Sequence, residues 1–416
     1  MNKITHLEKK ILVSNFISLS FLKGVNYILP LITFPYLVRV IGIDNFGLLS
    51  FVTAIMMYFS IIVSYGFDLT ATRSIAVNKE NKENIIEIYS SVLIIKFLLM
   101  IISFFILMVI VFLYPKMRVN YELYILAYGM IVGQVFFPIW FFQGMEKMKY
   151  ITYMNIISKG IFTLAIFIFI HNKNDYYLVP LFTSMGYIIV GFISIYIIKY
   201  HFLINFKMQS FGTIKYYFKD GWHIFLSRFY LNLYTTTNIV LLGIFTNNIV
   251  VGYFSIAEKI VQAIGGLFQP ANQTLFPYLS KKYIENKIHF INMIKRISKY
   301  YVILSIIFII ISFIFRNEII LLINGSSNED IVKLFTILLL GIIIHPFGAL
   351  LSNILVIEKQ NKKLISVMNY TVLINFSIVP VSIYFYSALG LAYASLVVVY
   401  SHIILLFLKI RRIFND

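Results

Sequence analysis

The feature that most constrains this chain is its uninterrupted apolar runs. From Val92 to Leu113 only Lys96 and Ser103 break one. Strands of a membrane barrel would alternate apolar and polar residues over about ten positions, and these runs do not alternate. Of the 416 residues, 60% are hydrophobic and 12% charged, against about 25% charged in soluble domains. No aqueous core could hide that much apolar surface, so the solvent is lipid. The expected class is an all-α polytopic membrane protein.

A bilayer core of roughly 30 Å takes about 20 apolar residues per helix. On that scale the sequence predicts twelve spans, near 12–40, 47–75, 86–114, 121–143, 151–171, 177–199, 217–245, 249–280, 298–323, 331–356, 364–386 and 388–409. Alternate connections hold 24 Lys and Arg, the other set only Arg39, Lys116, Arg118, Lys173, Arg316 and Lys333. Basic residues collect on the cytoplasmic side, so both termini are expected there. The net charge of +18 is then a property of cytoplasmic loops, and nucleic acid is not implied. The N-terminal apolar run is too long for a cleavable signal. With no cysteine, disulfides and thiolate chemistry are excluded.

The connection near Tyr200–Tyr216 is the longest, polar and basic. It reads as a linker between a lobe at 1–205 and a lobe at 206–416, six helices each. Two internal echoes support the division. An offset of 205 sets Lys23 on Arg228, Gly47 on Gly252 and Ser50 on Ser255, and an offset of 214 sets 149–155 on 363–369. Halves with an even number of spans enter from one side, which predicts parallel repeats. There is no P-loop and no metal spacing such as HExxH, and no metal or cofactor is expected. No extramembrane segment is large enough for a catalytic domain.

The remaining five cations, Lys23, Lys96, Lys159, Arg228 and Lys259, fall inside predicted spans, against the acids Asp68 and Glu258. A charge at mid-membrane costs roughly 2.5–3.5 kcal/mol on insertion scales, so each needs a partner, water or an interface. Helical spacing puts Asn26, Tyr27, Pro30 and Thr33 on the face of Lys23. It puts Asn232, Thr235 and Asn238 on the face of Arg228. The two faces are expected to line a cleft between the lobes, the alternative being snorkelling to the surface. Asp68 is expected to pair structurally with Arg73 or Lys96, or to take up a coupling ion. Glu258 heads a stripe with Gln262, Gly265, Gln269 and Asn272. An excess of cations favours an anionic substrate, because Arg and Lys hold phosphate by charge-assisted hydrogen bonds. His345-Pro346 reads as a kink.

The runs PLITFPYLVRVIGIDNFGLLSF and SYGFDLTATRSIA, and then FFQGMEKMKYITYMNI, DYYLVPL, VVGYFSIAEKIVQAI and QTLFPYLS, resemble the Wzx-type polysaccharide flippases. These belong to the multidrug/oligosaccharidyl-lipid/polysaccharide exporter superfamily. The resemblance implies twelve helices in two six-helix bundles around a central cleft, and a multi-pass protein of the bacterial inner membrane. It implies alternating access for undecaprenyl-diphosphate-linked oligosaccharide, destined for O-antigen, capsule or a related surface polysaccharide. Lys23, Arg228 and Lys259 would carry the cationic cavity, with Lys159 and Lys96 as weaker members. Asp68 or Glu258 would take up H+ or Na+. Other proteins of polysaccharide assembly are implied as partners. An ion-coupled exporter of drugs or metabolites is the alternative cargo reading. A membrane-embedded glycan-processing enzyme would need paired outer acids on a sizeable loop, and the outer acids here sit in short turns.

Overall fold

The computed structural model describes the backbone from His6 to Asn415. Side chains are described at residue 29 and from 32 to 411, except at 231, 234, 235, 273, 274 and 277. Among these residues there is no strand. The helices are α1 (His6–Ser64), α2 (Phe67–Val77), α3 (Lys82–Leu113), α4 (Pro115–Arg118), α5 (Tyr121–Phe136), α6 (Ile139–Gly144), α7 (Met148–Phe169) and α8 (Leu178–Tyr200). They continue with α9 (Phe211–Phe245), α10 (Asn248–Gly266), α11 (Gln269–Glu285), α12 (Lys287–Ile314), α13 (Arg316–Asn324), α14 (Glu329–Leu339), α15 (Ile344–Ile357) and α16 (Asn361–Asn415).

Nine stretches among the described residues are long and apolar enough to cross a membrane. Helices dominate because lipid offers no partner for a free N–H or C=O, and a helix satisfies both within one segment. Several expected spans share a helix, because some turns are made by a single residue. The backbone of α1 leaves helical geometry only at Gly42, φ 80°, and that of α16 only at Ser387, φ 53°. At Ser387 the chain reverses. A Cβ on Gly390 would strike the Ser382 carbonyl, and Thr371 Oγ1 lies 2.9 Å from His402 Nδ1. Both pairs are centred near residue 386, so 361–386 and 388–415 run antiparallel. Other expected spans are broken: 47–75 at Tyr65–Gly66, 121–143 at Phe137–Pro138, 249–280 at Leu267–Phe268 and 331–356 at Leu340–Ile343. Pro270 borders the Leu267–Phe268 interruption, in the first turn of α11, where a missing N–H costs nothing.

The chain forms two compact units. The first comprises 1–42 and 52–232, the second 43–51 and 233–416. The core of the first mixes aliphatic and aromatic side chains. Tyr65, Phe67, Tyr89, Trp140, Phe141 and Phe142 are buried together. The α1–α2 turn is built from two left-handed residues, Tyr65 (φ 48°) and Gly66 (φ 78°). A Cβ at Gly66 would also meet the Ile224 side chain. Tyr65 bears its unfavourable φ because its ring is stacked on Phe218 and Phe225, with centroids 4.5 and 5.0 Å away.

In the second unit the segment 43–51 packs on α10 through the two glycines that the 205-residue offset aligned. A Cβ on Gly47 would strike the Asn248 carbonyl oxygen, and one on Gly252 the Ile43 carbonyl oxygen. Small residues let membrane helices approach backbone to backbone. Gly47→Val and Gly252→Val are each expected to destabilise the protein by about 3 kcal/mol, the upper part of the overpacking range. Gly160→Val, with nothing within 4 Å of its Cβ, is expected to be neutral. Thermal melting monitored by size-exclusion fluorescence in detergent checks both.

Candidate functional site

The Tyr65–Gly66 turn starts α2 afresh and so aims Asp68, in its first turn, toward α9. Asp68 Oδ2 lies 2.8 Å from Arg228 Nη2. Arg228, not the expected Arg73 or Lys96, is therefore its ion-pair partner. Arg73 lies five residues on, about 140° around the helix, and reaches Asp220 instead. Its Nη2 donates to both carboxylate oxygens at 3.1 and 3.2 Å. Two ion pairs thus tie α2 to the first half of α9, in antiparallel order. The Asp68–Arg228 pair is about 40% exposed on each side, and Arg73 is largely exposed.

Lys96, on α3, is only 5% exposed. Its Nζ donates to the Gln134 carbonyl at 3.2 Å. Gln134 also accepts from Ser60 Oγ through Oε1, at 2.6 Å. Thr72 closes the group, donating to the Asp68 carbonyl and to Trp140 O at 2.8 and 3.2 Å. The first unit therefore holds the Asp68–Arg228 pair and a buried lysine on a neutral acceptor of α5.

In the second unit Lys259 Nζ stands 4.8 Å from the centre of the Phe46 ring, a cation–π distance. Its neighbour Glu258 is half-buried. Farther along, Asn272 accepts from Tyr301 at 2.9 Å, which fixes it within the lobe. Lys159 of α7 is half-buried. The Lys23 side chain lies outside the described residues. The expected juxtaposition of Lys23 and Arg228 is accordingly no part of this geometry. Arg228 is held by Asp68.

A polar cluster in the second unit went unread in the sequence. Asn375 Nδ2 donates to Asn238 Oδ1 at 3.1 Å, and Asn238 Nδ2 to Ser395 Oγ at 3.4 Å. Asn375 is fully buried and its Oδ1 has no hydrogen-bond partner, an uncommon condition for a buried amide. The available signal was an asparagine deep in an apolar span, which is costly enough to point to function. Among the described residues no three His, Asp or Glu gather as a metal site. His345 follows the 3-10 turn at Leu340–Ile343, as a kink position should.

The profile described as polysaccharide biosynthesis protein matches residues 12–283. The chain belongs to this family. The matched stretch contains all five intramembrane cations and both acids, and it stops short of Asn375. A relative from Escherichia coli (strain K12), "Putative O-antigen transporter", is 34% identical over 282 residues, 68% of each chain. One from Shigella dysenteriae with the same description is 34% identical over 271 residues, 64% of this chain and 67% of its own. Among solved structures, the lipid II flippase MurJ in an inward closed conformation superposes with a TM-score of 0.76 at 15% identity, over 96% of this chain and 87% of that one. An inward-facing multidrug resistance transporter of the MATE family gives 0.69 at 14%, over 94% and 98%. Those likenesses show the fold. This polysaccharide biosynthesis family member is a multi-pass membrane protein with that fold, and not an enzyme.

The Asp68–Arg228 pair gives a prediction. Asp68→Ala is expected to cost about 1–2 kcal/mol, between surface and buried ion pairs. The exchange Asp68→Arg with Arg228→Asp is expected to recover at least half. A double-mutant cycle on thermal melting measures the coupling.

Proposed function

We propose that the protein is a flippase that carries undecaprenyl-diphosphate-linked oligosaccharide repeat units across the bacterial inner membrane by alternating access, for O-antigen or capsule assembly. The observation that carries this reading is the 34% identity to O-antigen transporters over two thirds of the chain, joined to an excess of intramembrane cations within the matched stretch. In this reading twelve spans form two six-helix lobes, divided near residue 205, with both termini in the cytoplasm. The sugar head occupies a polar cleft while the polyprenyl tail stays in lipid.

Arg228, Lys23 and Lys259 bind the diphosphate or acidic sugars, with Lys96 and Lys159 adding positive potential. Asp68 holds Arg228 while substrate is absent. A diphosphate offers the guanidinium more acceptor oxygens than one carboxylate, so the arginine exchanges partners. Asp68 is then released to bind H+ or Na+, a task it shares with Glu258. A half-exposed pair suits the exchange because its net worth is small. The multidrug transporter fold keeps a second reading in view, export of small drugs or metabolites.

Arg228→Ala and Lys259→Ala are expected to lower surface polysaccharide by about tenfold, the loss of one charge-assisted contact, at unchanged membrane abundance. Glycan quantified by immunoblot of whole cells measures it. Unchanged glycan in both variants would falsify the assignment of these residues. Altered drug susceptibility with normal glycan would select the exporter.

A further inference from the structure

A second site lies outside the charged residues considered so far. A cavity of about 610 Å³ opens in the second unit between α13, the first two turns of α14 and α16 just beyond its Ser387 break. That volume falls within the range of about 300–1,000 Å³ common to small-molecule sites. Residues 361–386 separate the basic turn at Lys359, Lys362 and Lys363 from this end of the unit. At 1.5 Å per residue they span roughly 39 Å, one membrane thickness. On the topology proposed above, the cavity faces the side where cargo is delivered.

Val332, Ile337 and Leu389 make much of the lining apolar, and polar groups stand among them. Arg316 and Lys333 supply charged donors, Glu329 a charged acceptor, Asn317 an amide that both donates and accepts, and Tyr393 a ring face. Tyr393 is 59% exposed. Arg316 is held in place, its Nη1 donating to Phe313 O at 2.8 Å and its guanidinium 4.3 Å from the centre of the Phe313 ring. One of its five N–H donors is engaged there. Lys333 and Glu329 lie 3.4 Å apart on one helix face, an exposed pair worth little by itself and readily traded for ligand contacts.

A site for a hydrocarbon chain would be apolar throughout. A site for phosphate alone would not place a carboxylate among its cations. A sugar has an apolar C–H face and a rim of hydroxyls, each both donor and acceptor. An aromatic face bordered by amide, carboxylate, guanidinium and ammonium groups matches that chemistry. Two cations against one acid leave room for an acidic sugar.

We propose that this cavity is a glycan-binding subsite, which receives one or two sugar residues of the oligosaccharide head at the delivery side. The proposal rests on the flippase reading and adds a second place where cargo is held.

The test uses the full-length protein in its host. Tyr393→Ala and Asn317→Ala are each expected to lower surface polysaccharide by about tenfold, the size of one lost stacking contact or one lost hydrogen bond. Tyr393→Phe, which keeps the ring, stays at the wild-type level, and melting temperatures of the purified variants are unchanged. If Tyr393→Ala and Asn317→Ala leave glycan intact while Arg228→Ala lowers it, the subsite is refuted and the flippase stands. If Arg228→Ala and Lys259→Ala also leave it intact, the cargo reading itself fails. A third arm compares nanodiscs of phosphatidylglycerol and phosphatidylcholine. Melting stabilised by phosphatidylglycerol, lost in Arg316→Ala and Lys333→Ala but kept in Tyr393→Ala with normal glycan, would make the cavity a lipid headgroup site and overturn the proposal.

Discussion

Hydrocarbon supplies no hydrogen bonds, and the structure follows from that. Every backbone group must be satisfied within its own segment, which leaves helices as the building material. A polar side chain buried there is costly unless it finds a partner inside the protein. Lys96 finds the Gln134 carbonyl, Arg228 finds Asp68, Asn375 finds Asn238, and Thr371 lies beside His402. The side chains that interrupt the apolar runs are thus the ones that fix neighbouring helices to one another. Association of apolar surfaces gives little such specificity where the solvent is itself apolar.

Turning the chain under the same constraint is done with few residues. Gly42 and Ser387 each redirect a helix alone, and Tyr65 with Gly66 does so as a left-handed pair braced by stacked rings. The turn at Tyr65–Gly66 has the clearest bearing on function. It detaches α2 from α1, and so lets Asp68 and Arg73 address two different groups of α9. Without that turn, residues 47–75 would be one straight helix.

Charge is arranged by degree. Lys96 sits deep, against a neutral acceptor. Arg228 is half-exposed and paired through one contact, which suits a group that changes partner. Lys259 rests on an aromatic ring, whose quadrupole holds a cation without neutralising it. The proposed cargo, a lipid-linked glycan, calls for such a series. The mixed lining near Tyr393 is different in kind, since it sets an amide, a carboxylate and a ring face beside its two cations.

The sequence alone determined the solvent, the helical class and the family. Apolar runs such as Val92–Leu113 have one physical reading, and the motifs from Pro30 to Ala76 and from Gly252 to Ser280 resemble one family of transporters. It also located the intramembrane charges, because a lysine in an apolar run is visible without coordinates. The glycines aligned by the 205-residue offset were legible as a repeat, but not as a contact. Partner choice was not legible. Asp68 pairs with Arg228, 160 positions away in the chain, because a two-residue turn rotates α2, and no local pattern encodes that rotation. Asn238, Asn375 and Ser395 are separate polar residues in the sequence and become one cluster only when α9 meets both arms of the α16 hairpin. Pairing over such distances depends on the angle between helices, and only the packed structure sets that angle.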